Sequence, residues 1–160
     1  LPRYGGRIGD ALVGLGVLRP IELFRAIASQ VRFRLLEAFR WRTGEWAFVP
    51  DLRSHEETFP LGIEPLDLLR EAVAAADVRE LFAALLPYEE RVIFRVPSPR
   101  VSPLAFGLPP AWATVLDSVQ GKATAKMLIE SHVAQGGDAD DAYRALFLGL
   151  SCELIQVAAR

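Results

Sequence analysis

The apolar positions near the start of the chain repeat with the spacing of amphipathic helices. The pattern is formed by branched aliphatic residues at Ile8, Leu12, Val13, Val17, Leu18, Leu23 and Ile27. Steps of about four residues place such side chains on one face of a helix. Gly16 interrupts the pattern, and a glycine between periodic segments is typical of a tight turn. The spacing therefore predicts two short helices that meet at Gly16.

Two further elements are predicted before residue 50. Residues 31–41 carry apolar side chains three and four positions apart, which predicts a third helix. After a turn at residues 42–44, Trp46 and Phe48 alternate with their neighbours in the manner of a short strand. Residues 50–60 are rich in carboxylates, are bounded by prolines and predict a loop.

The middle of the chain predicts two helices and a strand. Pro65 suits an early helical position, and an apolar face continues from it to about residue 76. A second helix is predicted over residues 78–86. A strand is predicted over residues 91–96.

The last part of the chain predicts three helices followed by a strand. The first helix carries Trp112 and ends at Gly121, and the second covers residues 122–132. The third begins at the acidic residues 138–141, where carboxylates interact favourably with the helix dipole. Residues 153–158 predict a closing strand. This order of elements is the outline of a winged-helix-like fold.

The spacing of prolines suggests how the chain is divided. Five prolines lie between residues 97 and 110, which predicts a linker. The chain is therefore expected to contain three segments, at residues 1–52, 61–97 and 98–160. The predicted fold class is α+β and mostly helical, with a first helical segment that ends in a strand and a winged-helix-like last segment.

Composition and charge exclude several functions. The net charge of the 160 residues is −2, so a general nucleic-acid binder is not expected. The apolar runs are shorter than the roughly 18 residues of a membrane span. A single cysteine excludes an internal disulfide and indicates a cytoplasmic location. The chain begins at Leu1 rather than at methionine, which indicates a piece of a longer protein.

The charge is distributed unevenly along the chain. Residues 1–53 hold nine basic residues against five acidic ones, residues 54–100 hold five against nine, and residues 101–160 hold four against six. Arginines such as Arg32 and Arg34 are then either the solvated face of a helix or part of an anion-attracting surface. The sequence leaves both alternatives open.

No set of residues predicts catalysis or a metal site. His55 lies in an acidic loop and His132 near a helix end, where histidines are commonly solvated or capping groups. Cys152 has apolar neighbours and is expected to be a buried structural thiol. Residues 138–141 are expected to cap a helix whose one arginine does not suit DNA recognition. The hypothesis is a protein that is not an enzyme and has no metal or cofactor.

A polar framework in the first helical pair is not explained by helix packing. The stretch from Arg7 to Gln30 is R-I-G-D-A-L-V-G-L-G-V-L-R-P-I-E-L-F-R-A-I-A-S-Q. It resembles the repeated motif of the N-terminal (MshEN-type) domain of type II secretion and type IV pilus assembly ATPases. The arginine, the two framework glycines, the aliphatics and the final glutamine stand at the positions of that motif. Ile8 and Ile27 stand where leucine is usual.

A second resemblance begins where the motif ends. Residues 39–48 are F-R-W-R-T-G-E-W-A-F, and helices and a winged-helix-like tail are predicted after them. This arrangement resembles the PATAN-type bacterial regulatory domains, which accompany response regulators and kinases. Together the two resemblances cover most of the chain.

The secretion-ATPase resemblance implies binding of cyclic di-GMP. It implies polar contacts with the ligand from Arg7, Gly9, Gly16 and Gln30. It implies apolar packing on the ligand from Ile8, Leu12, Val13 and Leu18. An arginine fork matches guanine or phosphate, and glycines let the backbone approach a ligand closely. Family members use two copies of the motif, whereas residues 61–63 begin like a second copy but lack its arginine. The alternative is that the motif is a helical scaffold with Arg7 in a surface ion pair.

The two resemblances and the absence of catalytic motifs lead to one hypothesis. The chain is expected to be a non-catalytic regulatory module of a bacterial cytoplasmic signalling protein. Its partners would be other protein domains, with no nucleic acid and no membrane span. The alternative function is a cyclic di-GMP sensor that uses the motif from Arg7 to Gln30.

Overall fold

The computed structural model of the chain describes residues 8–41, 43–50 and 61–158. The chain divides into two compact units, residues 1–64 and 65–160. Within the described residues the fold is mostly helical, with one two-stranded antiparallel sheet. The predicted fold class, α+β and mostly helical, is therefore confirmed.

The elements follow the order predicted for most of the chain. The first unit contains helices α1 (Ile8–Gly14) and α2 (Pro20–Ala38). The second unit contains α3 (Pro65–Ala75), α4 (Val78–Leu85), β1 (Ile93–Arg95), α5 (Pro110–Ser118), α6 (Ala125–Ala134), α7 (Ala139–Ser151) and β2 (Ile155–Val157), with 3₁₀ turns at Leu86–Tyr88 and Pro103–Phe106. The helices and strands predicted after residue 64 are confirmed, with boundaries that shift by up to three residues.

Two predictions for the first unit are wrong. The second and third predicted helices form the single helix α2, because neither Gln30 nor Val31 interrupts helical hydrogen bonding. The predicted strand around Trp46 and Phe48 does not form, and residues 44–49 have no regular secondary structure. Alternating side chains make a strand only when another strand supplies hydrogen-bond partners, and none of the described strands pairs with this segment. Most of the predicted loop, residues 51–60, lies outside the described residues.

Helix α7 is the centre of the second unit. It packs against α5, α4, α6, α3 and β2. Its buried positions are mainly small residues and leucines: Ala142, Ala145, Leu146, Leu148 and Gly149. Small side chains let neighbouring helices approach closely, while the leucines fill the space between them. The core of this unit therefore surrounds α7 instead of lying on one side of it.

The predicted boundary near residue 98 does not separate two units. Strand β1 pairs antiparallel with β2, so that Phe94 lies opposite Gln156. Phe106, within the proline-rich predicted linker, is almost fully buried in the core. The Arg70 Nε donates to the Phe106 carbonyl at 3.1 Å, which ties α3 to the same stretch. These long-range contacts join residues 65–97 and 98–158 in one unit.

The carboxylates at the start of α7 have the capping role predicted for them. Asp138 is the N-cap residue, and its Oδ1 accepts from the Asp140 backbone N–H at 2.9 Å. Asp140 and Asp141 lie in the first helical turn. This arrangement satisfies an N–H group that has no partner within the helix and places negative charge at the positive end of the helix dipole.

The end of α7 contains a strained residue. Glu153 has φ +55°, and its left-handed backbone lets the Leu154 N–H reach the Gly149 carbonyl at 2.8 Å. Replacing Glu153 with glycine is expected to raise the free energy of unfolding by about 0.5–1 kcal/mol, because glycine adopts this conformation without a Cβ clash. The measurement is urea denaturation. The control, Glu130→Gly, is an exposed site inside α6 and is expected to lose about 0.5–1 kcal/mol; equal losses in both variants would contradict the prediction.

Candidate functional site

The turn between α1 and α2 is a complete Schellman motif. Gly16 has φ +70°, its N–H donates to the Val13 carbonyl at 3.0 Å, and the Val17 N–H donates to the Leu12 carbonyl at 2.9 Å. These bonds satisfy carbonyl groups that the last helical turn leaves without partners. The tight turn predicted at Gly16 is confirmed, and its geometry explains the glycine without a ligand.

The start of α2 is fixed by an arginine and a glutamate. Pro20 is the first helical residue, where a missing N–H costs nothing. The Glu22 carboxylate accepts from the Arg19 backbone N–H at 2.8 Å and from its guanidinium at 2.6 Å. The guanidinium lowers the pKa of the Glu22 carboxyl below its ordinary value. Arg19 was not predicted as a site residue, and its hydrogen bonds to Glu22 show that it stabilises the start of α2.

Gly9 allows α1 and α2 to approach each other closely. A Cβ at Gly9 would lie 2.8 Å from the Leu23 Cδ1, closer than side chains normally come. The two helices therefore meet at this glycine, so that Gly9 has a packing role of its own.

The structure brings some of the predicted ligand-binding residues together and separates others. Leu12, Val13, Gly16 and Leu18 meet at the turn, where the Leu18 N–H donates to the Leu12 carbonyl at 3.2 Å. Ile8, at the start of α1, and Gln30, on α2, are exposed. Gln30 lies ten residues after Pro20, which corresponds to roughly 15 Å along the helix. Arg7 lies outside the described residues.

Helix α2 is too long for α1 to cover. Its 19 residues extend about 28 Å, whereas the seven residues of α1 extend about 10 Å. None of the residues of α2 is buried, and Phe33 is 60% exposed. Large apolar side chains on such a helix normally face a core. The exposed apolar side chains of α2, Ile21, Phe33 and Leu35, are therefore available for a partner.

Exposed aromatic residues continue beyond α2. Trp41, Trp46 and Phe48 are 74%, 91% and 81% exposed. Single exposed apolar residues are ordinary, but several large ones within a few residues are typical of interaction surfaces. We call Phe33, Phe39, Trp41, Trp46 and Phe48 the exposed aromatic set. Sequence periodicity could not identify it, because an apolar position looks the same whether its own chain or a partner covers it.

Cys152 is half-buried at the end of α7. Burial raises the pKa of its thiol, so a smaller fraction is thiolate than for a free cysteine at the same pH. Iodoacetamide is therefore expected to alkylate Cys152 more slowly than free cysteine at pH 8, with a rate that continues to rise above pH 8.5. Mass spectrometry measures the rate, and the chain in guanidinium chloride should react like free cysteine. A native rate equal to the denatured one would contradict this expectation.

The same pKa shift has a consequence for stability. The folded state holds the thiol proton more tightly than the unfolded state does. The protonated thiol therefore contributes to the free energy of unfolding, and this contribution is complete below the unfolded pKa of about 8.5. It is lost as the pH rises through the folded pKa.

Two side chains in the second unit have contacts that the sequence did not predict. The Trp112 Nε1 donates to the Asp141 Oδ1 at 2.8 Å, which connects α5 to the first turn of α7. His132 is half-buried, and its ring lies where a side chain at Gly137 would be. The His132 ring is therefore partly packed against the chain, whereas the sequence predicted a solvated or capping group. His55 lies outside the described residues.

In the described part of the chain, no group of three or more His, Cys, Asp or Glu side chains is arranged to hold a metal ion. None of the described helices combines the length and the apolar character needed to cross a bilayer. No protein-family model, curated protein or solved structure matches the chain.

Proposed function

We propose that this chain is a non-catalytic regulatory module of a bacterial signalling protein, and that it binds another protein domain through its first unit. The observation that carries the proposal is helix α2, which buries none of its residues, followed by the exposed aromatic set. Aromatic residues with neighbouring arginines are the residue types most enriched at the energetic centres of protein interfaces.

A cytoplasmic location and a winged-helix-like second unit belong to the same proposal. The order α5–α6–α7–β2 and the bridge between Val92 and Thr124 support the latter.

A photo-crosslinking experiment in the full-length parent protein tests this proposal. A photoreactive phenylalanine analogue replaces Phe33 or Trp46 in cells that produce the parent. We expect one discrete protein to be captured at both positions, because both side chains would lie in the interface. The matched control position is Leu104, an apolar residue of the second unit that is 91% exposed. Equal capture at Leu104, capture of only a second copy of the chain, or measurable turnover of a nucleotide or phospho-substrate would contradict the proposal.

The second candidate function is binding of cyclic di-GMP. The exposure of Gln30 and Ile8 supports this alternative, since buried side chains could not contact a dinucleotide. Calorimetry with cyclic di-GMP and the full-length parent is the direct measurement. If this function is present, Gln30→Ala and Arg7→Ala are expected to weaken binding at least about tenfold, equivalent to about 1.4 kcal/mol. Gln120→Ala, at an exposed glutamine of the second unit, is the control and should bind normally. Absence of heat from the parent would eliminate the candidate.

A further inference from the structure

We propose that the second unit carries a separate docking site, in which strand β2 binds an extended, basic peptide by strand addition. This inference does not depend on the proposed function of the first unit. It rests on the hydrogen bonding of β2, on the cleft beside the strand and on the charge at one end of that cleft.

One edge of β2 has no backbone partner. The Val96 N–H donates to the Leu154 carbonyl at 3.0 Å, and the Ala158 N–H donates to the Val92 carbonyl at 2.9 Å. Because antiparallel pairing alternates along a strand, the backbone groups of Gln156 face β1, whereas those of Ile155 and Val157 face away from it. In the described part of the chain no backbone hydrogen bond takes up these outward groups.

The open edge borders a cleft of about 760 Å³, a size typical of binding sites. All three residues of β2 line the cleft, whereas from the other strand only Val96, immediately after β1, does, so the cleft follows β2. Opposite the strand it is lined mainly by apolar residues of α4 and α7, such as Leu85, Phe147 and Leu150. A free strand edge with apolar pockets beside it matches the mode in which an added strand supplies backbone hydrogen bonds and alternate side chains fill the pockets.

The charge of the site favours a basic occupant. Glu153 lines the cleft, and its carboxylate is largely exposed, 3.8 Å from the exposed Arg100 in a loose ion pair. At the other end of β2, Arg91 is held by a hydrogen bond to the Ala158 carbonyl. The described part of the second unit, residues 65–158, holds twelve acidic against eight basic residues. A lysine or arginine at the end of an added strand would meet the Glu153 carboxylate, which is the charged side chain among the lining residues of the cleft.

The test uses a fluorescein-labelled octapeptide in which valine alternates with lysine and threonine, titrated into the full chain by fluorescence anisotropy. We expect it to bind, and the amide NMR signals of Ile155 and Val157 to shift. Val157→Pro removes an outward N–H without removing a bond to β1, and it should weaken binding at least about tenfold. Val157→Thr keeps that N–H and should bind normally. Glu153→Gln should weaken binding about two- to fivefold.

Peptide variants keep the test decisive if Val157→Pro does not fold. Methylation of alternate backbone nitrogens of the peptide on the side that faces β2 should abolish binding, and glutamate in place of lysine should weaken it. Equal binding of the methylated and unmodified peptides, equal binding of the lysine and glutamate peptides, or shifts elsewhere on the chain would overturn the proposal. So would a chain that dimerises with the Ile155 and Val157 amides protected, since a second copy would then occupy the edge.

Discussion

Replacing Trp112 with alanine is expected to lower the free energy of unfolding of the second unit by about 3–5 kcal/mol. Trp112 is 2% exposed and packs in the core, and its indole N–H donates to Asp141. The alanine variant loses the buried ring, leaves a cavity and removes the link between α5 and α7. A unit of this size has a stability of about 5–14 kcal/mol, so the variant should be marginally folded. Urea denaturation followed by circular dichroism measures the change.

The chain contains its own control for this experiment. Trp46 is 91% exposed, and Trp46→Ala is expected to change the free energy of unfolding by no more than about 0.5 kcal/mol. Trp112→Phe separates packing from hydrogen bonding, because it keeps most of the ring but removes the N–H donor. It should cost about 1–2 kcal/mol. Equal losses for Trp112→Ala and Trp46→Ala would contradict the structure of the core.

Local signals in the sequence were sufficient for most of the second unit. Apolar faces with helical spacing predicted its helices, Pro65 indicated the start of α3, and Asp138 indicated the start of α7. These signals act within one or two turns of the chain, so they do not depend on the rest of the fold. The contact between Trp112 and Asp141 could not be predicted in the same way, because the two residues are 29 positions apart.

The first unit shows where local signals fail. The strand predicted around Trp46 has the required alternation, but a strand also needs a partner that local sequence cannot specify. Helix α2 was predicted as two helices divided at Gln30 because the motif ends there, although no helix-breaking residue lies at that point. Gln30 and Val31 both accept helical conformation, and so the helix continues.

The candidate site was only partly predictable for a related reason. Gly16 indicated the turn, since a positive φ favours glycine, and the structure has that turn. The exposure of α2 had no sequence signal, because the apolar face of a helix has the same period whether it packs inside its own chain or on another protein. The open edge of β2 likewise had no sequence signal, because local sequence does not specify which strands lie side by side in a sheet.

Gly149 is a position in the core of the second unit where an added side chain should be poorly tolerated. A Cβ there would lie 2.9 Å from the Ile155 Cδ1 and 2.9 Å from the Leu116 Cδ2, both of which belong to buried residues. Gly149→Leu is therefore expected to lower the free energy of unfolding by about 3 kcal/mol, since overfilling forces neighbouring elements apart. Urea denaturation measures this loss.

The sign of this effect distinguishes packing from helix propensity. Leucine is a better helix former than glycine by about 0.8 kcal/mol, so propensity alone would make Gly149→Leu stabilising. Ser151→Leu adds the same side chain to an exposed position of α7 and is expected to change stability by no more than about 0.5 kcal/mol. A loss confined to Gly149→Leu would show that α5 and β2 pack directly on the α7 backbone. A stable Gly149→Leu variant would mean that β2 can move away from α7, and the cleft beside β2 would then not have the fixed shape that peptide docking requires.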